Sequence, residues 1–300
     1  MKNFALVLLV CLMVNTLSAQ PLKPYILGFE TTENVSDVAK KLVTKLNQNQ
    51  LEVIGQYQPA EEEGRWIIVF TSSALKEAVQ EVGGLTGFAA ALRLGITREN
   101  DKTIVSYTNP IYWGTAYFRE DFNKVASKYA MLTKQLEGAI KASGSFDGTP
   151  FGSEKGIEVD KLKKYRYMMG MAQFDNTIKL GSFDNHQAAL KRVESSVQKG
   201  VPNVTLIYQV AIPGKDLTLY GFGLSGEDGE TKFLPKIDIS NPRHTAFLPY
   251  EILVKGNEIH MLHGRFRIAL SFPDLTMGTF TKIMSTPPTI KKMLAQLVED

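Results

Sequence analysis

A chain of 300 residues with a net charge of +3 and one cysteine, Cys11, excludes several classes at once. A charge that small for the length argues against nucleic acid or an anionic membrane as an obligatory partner. A single cysteine leaves no internal disulfide and no thiolate zinc site, so stability must come from burial, for which a 44% hydrophobic composition suffices.

The chain opens with an address. Lys2, the apolar run at residues 5–14 and Leu17-Ser18-Ala19 follow the order of a secretory signal peptide over residues 1–19, with cleavage expected after Ala19. The run is shorter than the ~20 apolar residues of a membrane span. No later segment is a candidate, so the expectation is an exported protein, periplasmic or secreted, with no transmembrane segment.

From Tyr25 a short apolar strand leads to a helix that Asn34 can cap, with Val35, Val38, Ala39, Leu42, Val43 and Leu46 on one face. Strands follow near residues 51–57 and 66–70, then a helix over 74–82 that stops at Gly83-Gly84. Residues 89–97 and 103–108 read as a hairpin, and residues 121–142 as the clearest helix of the chain. Residues 143–157 form a Gly/Ser-rich connector, and residues 161–171 read as helical.

The plan then repeats. NVSDVAKKLVTKLNQNQLEVIGQYQ from Asn34 is echoed by NHQAALKRVESSVQKGVPNVTLIYQV from Asn185, and TGFAAALRLGIT from Thr86 by TAFLPYEILVK from Thr245. The second copy offers a helix over 185–199, strands over 204–212 and 217–224, a hairpin of 244–255 with 258–272 turning on Gly256-Asn257, and short helices near 277–284 and 290–298. Hairpins dominate over strict strand–helix alternation, so the fold class is α+β. Two similar modules, 20–142 and 158–300, each an antiparallel sheet with helices on one face, are expected to pack as a pseudo-dimer.

The segment Phe247-Leu248-Pro249-Tyr250-Glu251-Ile252-Leu253-Val254, closed by Ser271-Phe272-Pro273, resembles a prokaryotic domain-of-unknown-function family, number 302. In the first copy Phe88 to Ile96 corresponds, closed by Thr108-Asn109-Pro110, with Ala90 standing where the second copy has Pro249. The resemblance implies a tandem pair of compact α+β domains. It brings no established activity, so no catalytic residue carries over.

The candidate ligand site comes from the second hairpin. A turn at Gly256-Asn257 sets Tyr250 opposite His263, Leu248 opposite Arg265 and Ala246 opposite Arg267, with His244 at the far end. Two arginines beside a tyrosine and a histidine suit a carboxylate, phosphate or sulfate. The competing expectation is that the arginines line a solvated or inter-module face and pair with carboxylates of the other module.

Other motifs carry less. Gly221 to Gly226 has dinucleotide-loop spacing, but the acidic Glu227, Asp228 and Glu230 and then Pro235 stand where a phosphate-binding helix should begin. His260 and His263 would point to opposite faces of one strand, so no metal site is expected and no cofactor is implied. Met168, Met169 and Met171 are soft-metal ligands by type, yet at a helix end they are expected to pack. Lys161, Lys163, Lys164 and Arg166 are expected on a solvated helix face. The functional expectation is an exported non-catalytic protein binding a small anionic or amphipathic ligand. The alternatives are a cell-envelope module that binds a protein partner and, weaker, a hydrolase or lyase with His263 as base.

Overall fold

The computed structural model of the protein describes residues 20–299; the expected signal peptide lies outside them. The first half runs β1 (Tyr25–Thr31), α1 (Val35–Gln48), β2 (Glu52–Tyr57), β3 (Arg65–Thr71), α2 (Ser73–Val82), β4 (Leu92–Glu99), β5 (Lys102–Thr108), α3 (Pro110–Phe118) and α4 (Phe122–Lys141). The connector carries β6 (Pro150–Phe151), and α5 (Val159–Leu162) follows it. The second half runs β7 (Ile178–Ser182), α6 (His186–Lys199), β8 (Val204–Ala211), β9 (Leu217–Leu224), α7 (Glu230–Ile237), β10 (Tyr250–Lys255), β11 (Glu258–Met261), α8 (Gly264–Ser271), α9 (Met277–Lys282) and α10 (Thr286–Ala295).

The fold is α+β, with two antiparallel sheets. One has the order β2-β3-β4-β5-β1-β6 and the other β7-β11-β10-β9-β8. Apart from β6, the second order is the first with β7 to β11 in place of β1 to β5. The local signals account for most elements. Ser72 accepts a hydrogen bond from Leu75 N–H at 3.2 Å and caps α2, and Gly83, at φ +77, ends it. Asn185 caps α6 in the same way.

Side-chain alternation gives each sheet two different faces. On β4, Leu92, Leu94 and Ile96 look toward the helices of their own half, while Arg93 and Gly95 look toward the other half. A Cβ on Gly95 would lie 3.0 Å from Ala246 N, in the 3-10 turn Thr245–Phe247. Reciprocally, Gly87 in the 3-10 turn Gly84–Ala89 sits against Leu253 of β10. Each half thus presses a short turn onto the inner face of the other's sheet. The outer strands β2 and β8 also meet. Both carry a register shift, at Val53/Gly55 and at Leu206/Tyr208, and Gly55 lies so near that a Cβ there would be 2.4 Å from Ile207 O.

Several expectations need correction. The second hairpin is short: Lys255 pairs Glu258 and Ile252 pairs Met261 as the turn requires, but β11 ends there and residues 264–271 are helix α8. Leu262, Phe266 and Leu270 are spaced by four as well as by two, so the apolar set that reads as one strand face also fits a helix. His263, with its ring nitrogen accepting from Arg265 N–H at 3.2 Å, caps that helix. Residues 244–249 hold the 3-10 turn and a cis Leu248–Pro249 peptide, so β10 begins only at Tyr250. Residues 163–176 are irregular, since α5 stops at Leu162. Helices α3 and α7 were not expected at all.

The connector is stitched down. Pro150 and Phe151 pair with Ile26 and Tyr25, Leu27 N–H donates to Thr149 O, Gly148 N–H to Leu27 O, and Leu22 bridges Ile157. No helix among the described residues is long and apolar enough to cross a membrane.

Candidate functional site

The five residues expected at one site fall into three places. Arg267 and Tyr250 are buried between the halves. Arg265 is exposed and His263 half-buried at the start of α8. His244 lines a cleft. The physical reason is the helix: it turns Arg265 outward and Arg267 inward, where a strand would have aligned them.

The buried group centres on Glu251. Its Oε1 accepts from Arg93 of the first half and from the Tyr208 hydroxyl, and its Oε2 accepts from Arg267 Nη1 at 2.6 Å. Arg267 Nη2 also donates to Phe247 O at 2.5 Å and Pro249 O at 2.7 Å, and its guanidinium stands 5.3 Å from the Tyr250 ring centre. Burial lowers the pKa of Arg93 and pushes the Tyr208 hydroxyl up to about 12. Two further carboxylates of the second half reach across. Asp238 accepts from Arg65 and from the Thr245 hydroxyl (2.7 Å), and Glu230 from the Tyr57 hydroxyl (2.9 Å) and Ala60 N–H (3.1 Å). Arg267 thus bonds Glu251, Phe247 and Pro249 of its own half, and it is Arg93 that ties this group to the first half. Arg267 is not among the residues that line the cleft at His244.

The cleft at His244 has a volume of about 450 Å³. Three stretches of chain build it: Lys23 with the connector at 150–154, the loop 237–242 leading to His244, and 272–279 after α8. Its inner wall is aromatic. His244 stacks on Phe272 (centroids 4.9 Å, 24°), and Tyr25 and Phe151 stand 4.9 and 5.8 Å from the imidazole. Ile237, Ile239, Pro242 and Leu275 continue the apolar surface.

The end of α8 fixes the imidazole. A helix leaves its last carbonyls without partners inside the helix. Here Ala269 O accepts from the Tyr165 hydroxyl (2.9 Å), Leu270 O from Tyr112 (2.8 Å), and Ser271 O from Tyr25 (3.2 Å) and from His244 Nδ1 (3.2 Å). A carbonyl can only accept, so Nδ1 carries the proton and the neutral ring keeps a lone pair on Nε2. Burial lowers the His244 pKa, against the opposing pull of Asp238 and the Ser271 bond, which favours the neutral ring. Asp238 also accepts from the His244 backbone N–H, which holds the residue in place.

At the rim, the Asp274 carboxylate accepts from the Ser153 hydroxyl (3.0 Å) and Glu154 N–H (2.5 Å), tying the connector to the end of α8. Lys23 forms no ion pair among the described residues. The sequence reading found His244 but missed Lys23, Phe151, Phe272 and Asp274 as neighbours. They lie up to about 250 residues apart in the chain, and no periodicity links them.

The other motifs resolve individually. Gly221 and Gly223 lie within β9, and a helix, α7, does follow the glycine motif. Yet Glu230 in its first turn accepts from Leu224 N–H at 3.2 Å, so an internal carboxylate already takes a donor at that corner. His260 is held by the Thr177 hydroxyl (3.1 Å) and Glu258 (3.0 Å). No group of three or more His, Cys, Asp or Glu among the described residues could hold a metal ion.

No family model matches the chain, and no curated protein does. Among solved structures, the crystal structure of the uncharacterized conserved protein DUF302 from Bacillus stearothermophilus aligns with 40% of this chain and 98% of its own, at 16% identity and a TM-score of 0.35. So distant a likeness transfers no residue and no role.

Proposed function

We propose that the cleft at His244 binds a small amphipathic organic ligand, and that the protein is an exported, non-catalytic binding protein built from two copies of a domain of the family-302 type. The ligand's apolar body would lie over Phe151 and Phe272. Its polar end, if a carboxylate, would accept from the Lys23 ammonium, and, if a hydroxyl, would donate to the Nε2 lone pair of His244. The observation that carries this reading is the pairing of an aromatic wall with an imidazole acceptor and a lysine that has no ion-pair partner among the described residues. Pockets for small molecules have this character: mostly apolar, with a few placed polar groups. The arginines supply no part of it, so the ligand is amphipathic first and anionic second.

The test is calorimetric titration of the protein with octanoate, benzoate and their neutral alcohols, alongside Ile239→Trp and Lys23→Gln. Ile239 is 70% exposed, so a tryptophan there can fill the cleft without disturbing the core. The reading expects saturable binding that Ile239→Trp abolishes and that Lys23→Gln weakens about tenfold for the acids only. Binding of none of the four compounds, or binding untouched by Ile239→Trp, would remove the cleft as the ligand site.

A second reading draws on the Arg93–Glu251–Arg267 group. It supports the view that the polar residues of the second hairpin serve the contact between halves, as an envelope interaction module would require.

A further inference from the structure

Six large apolar side chains remain exposed among the described residues, and five are methionines: Met131, Met168, Met169, Met277 and Met284. Two belong to the run Met168-Met169-Gly170-Met171, which the sequence led us to expect as packing at a helix end. The structure removes that explanation. Residues 168–171 form a turn, with Met171 N–H donating to Met168 O at 3.0 Å and Gly170 at φ +83. Met169 is 93% exposed and Met168 44%, while Met171 is half-buried. A thioether held in water contributes nothing to a core.

The turn is anchored on both sides. The Tyr167 hydroxyl donates to Leu275 O at 2.6 Å, and its ring stacks on Phe280. The same hydroxyl lies 3.9 Å from Met277 Sδ, which brings a fourth thioether beside the residue preceding Met168. On the other side Arg119 donates to Lys163 O at 2.9 Å and pairs with Asp175 at 2.7 Å. A four-residue turn keeps its first and last Cα atoms within ~7 Å. The unbranched methionine side chains can then converge.

We infer that this turn is a binding site for a soft monovalent cation of the Cu(I) class, held by the thioethers of Met168, Met169 and Met171 with Met277 completing the set. Thioethers are neutral, polarizable ligands that favour Cu(I) over hard divalent ions. They have no proton to lose, so binding here is independent of pH, unlike a site built on histidine. Upstream of the turn, Lys163 and Lys164 each lie 3.7 Å from Glu120. The site is separate from the His244 cleft and does not depend on a ligand there.

The experiment uses the purified protein and Ag(I), a redox-inert stand-in, followed by methionine methyl resonances. Anaerobic Cu(I) titration against a chromophoric chelator runs in parallel. One equivalent should bind, shifting the methyl signals of Met168, Met169 and Met171 equally at pH ~5 and ~8. Met168→Leu/Met169→Leu/Met171→Leu should keep its melting temperature and lose affinity about tenfold or more. The single variant Met169→Leu, at the most exposed position, tests the same loss with the least risk to folding. Binding no tighter than that of free N-acetylmethionine, binding that moves histidine signals or falls with pH, or full affinity in the triple variant would each overturn the assignment.

Discussion

Glu251 stands between two guanidinium groups in the core, and that position makes it the most consequential side chain of the contact between halves. Removing one partner of a buried charge group leaves the others uncompensated, at a cost of about 3–5 kcal/mol. Glu251→Ala should therefore lower stability by that amount in urea unfolding, while Arg265→Ala on the exposed side of α8 should stay within about 0.5 kcal/mol. Glu230 adds a pH dependence. Burial raises its carboxyl pKa from 4.5 to about 7, outweighing the bonds from Leu224, Ala60 and Tyr57 that pull it down. A raised folded-state pKa means that the folded protein holds the proton more tightly. The associated stability is complete below pH ~4.5 and is lost as pH rises through ~7, up to about 3 kcal/mol. His244, His260 and His263, whose pKa values burial lowers, act in the opposite direction below pH ~6.5. The difference between the native protein and Glu230→Gln isolates the carboxyl. It should fall between pH 5 and 8, and a flat difference would show that Glu230 ionises normally.

At the level of elements, the sequence was legible wherever one side of an element faces water. Helices α1, α4 and α6 each show a mixed surface, and each lies within a residue or two of its expected span. Helix α3 could not be read that way. Its run PIYWGTAYF is buried almost throughout, so no polar face marks its period. Helix α8 failed for a related reason: Phe266 to Ser271 is buried on all sides, and its apolar residues fit both periods. Of the candidate site, only His244 is legible, because its neighbours come from the stretch before β1, the connector and the residues after α8. The crossing of β2 and β8 gives a sharp test. Gly55→Ala would drive a methyl into the Ile207 carbonyl, which is backbone and cannot rotate away. It should cost about 1–3 kcal/mol or more in thermal unfolding. Gly83→Ala, where a Cβ meets nothing within 4 Å, is the contrasting variant, strained only by its φ of +77.

For the whole molecule, the connection between halves decides which sheet edges remain available. An uncovered edge is a template for another chain, and proteins blunt such edges with short strands, proline and charge. Here β2 and β8, one edge of each sheet, cover each other. The second sheet's other edge, β7, carries Lys179 on a strand of only five residues. The first sheet's other edge would be the seven residues of β1, but the connector lies along it through Pro150, Phe151, Thr149 and Gly148. The segment that reads as a mere tether thus covers an edge that would otherwise be open to another chain. Replacing residues 147–151 with glycine and serine should leave the two halves joined yet release the edge of β1. Light scattering should then detect more concentration-dependent aggregation in the variant than in the native chain.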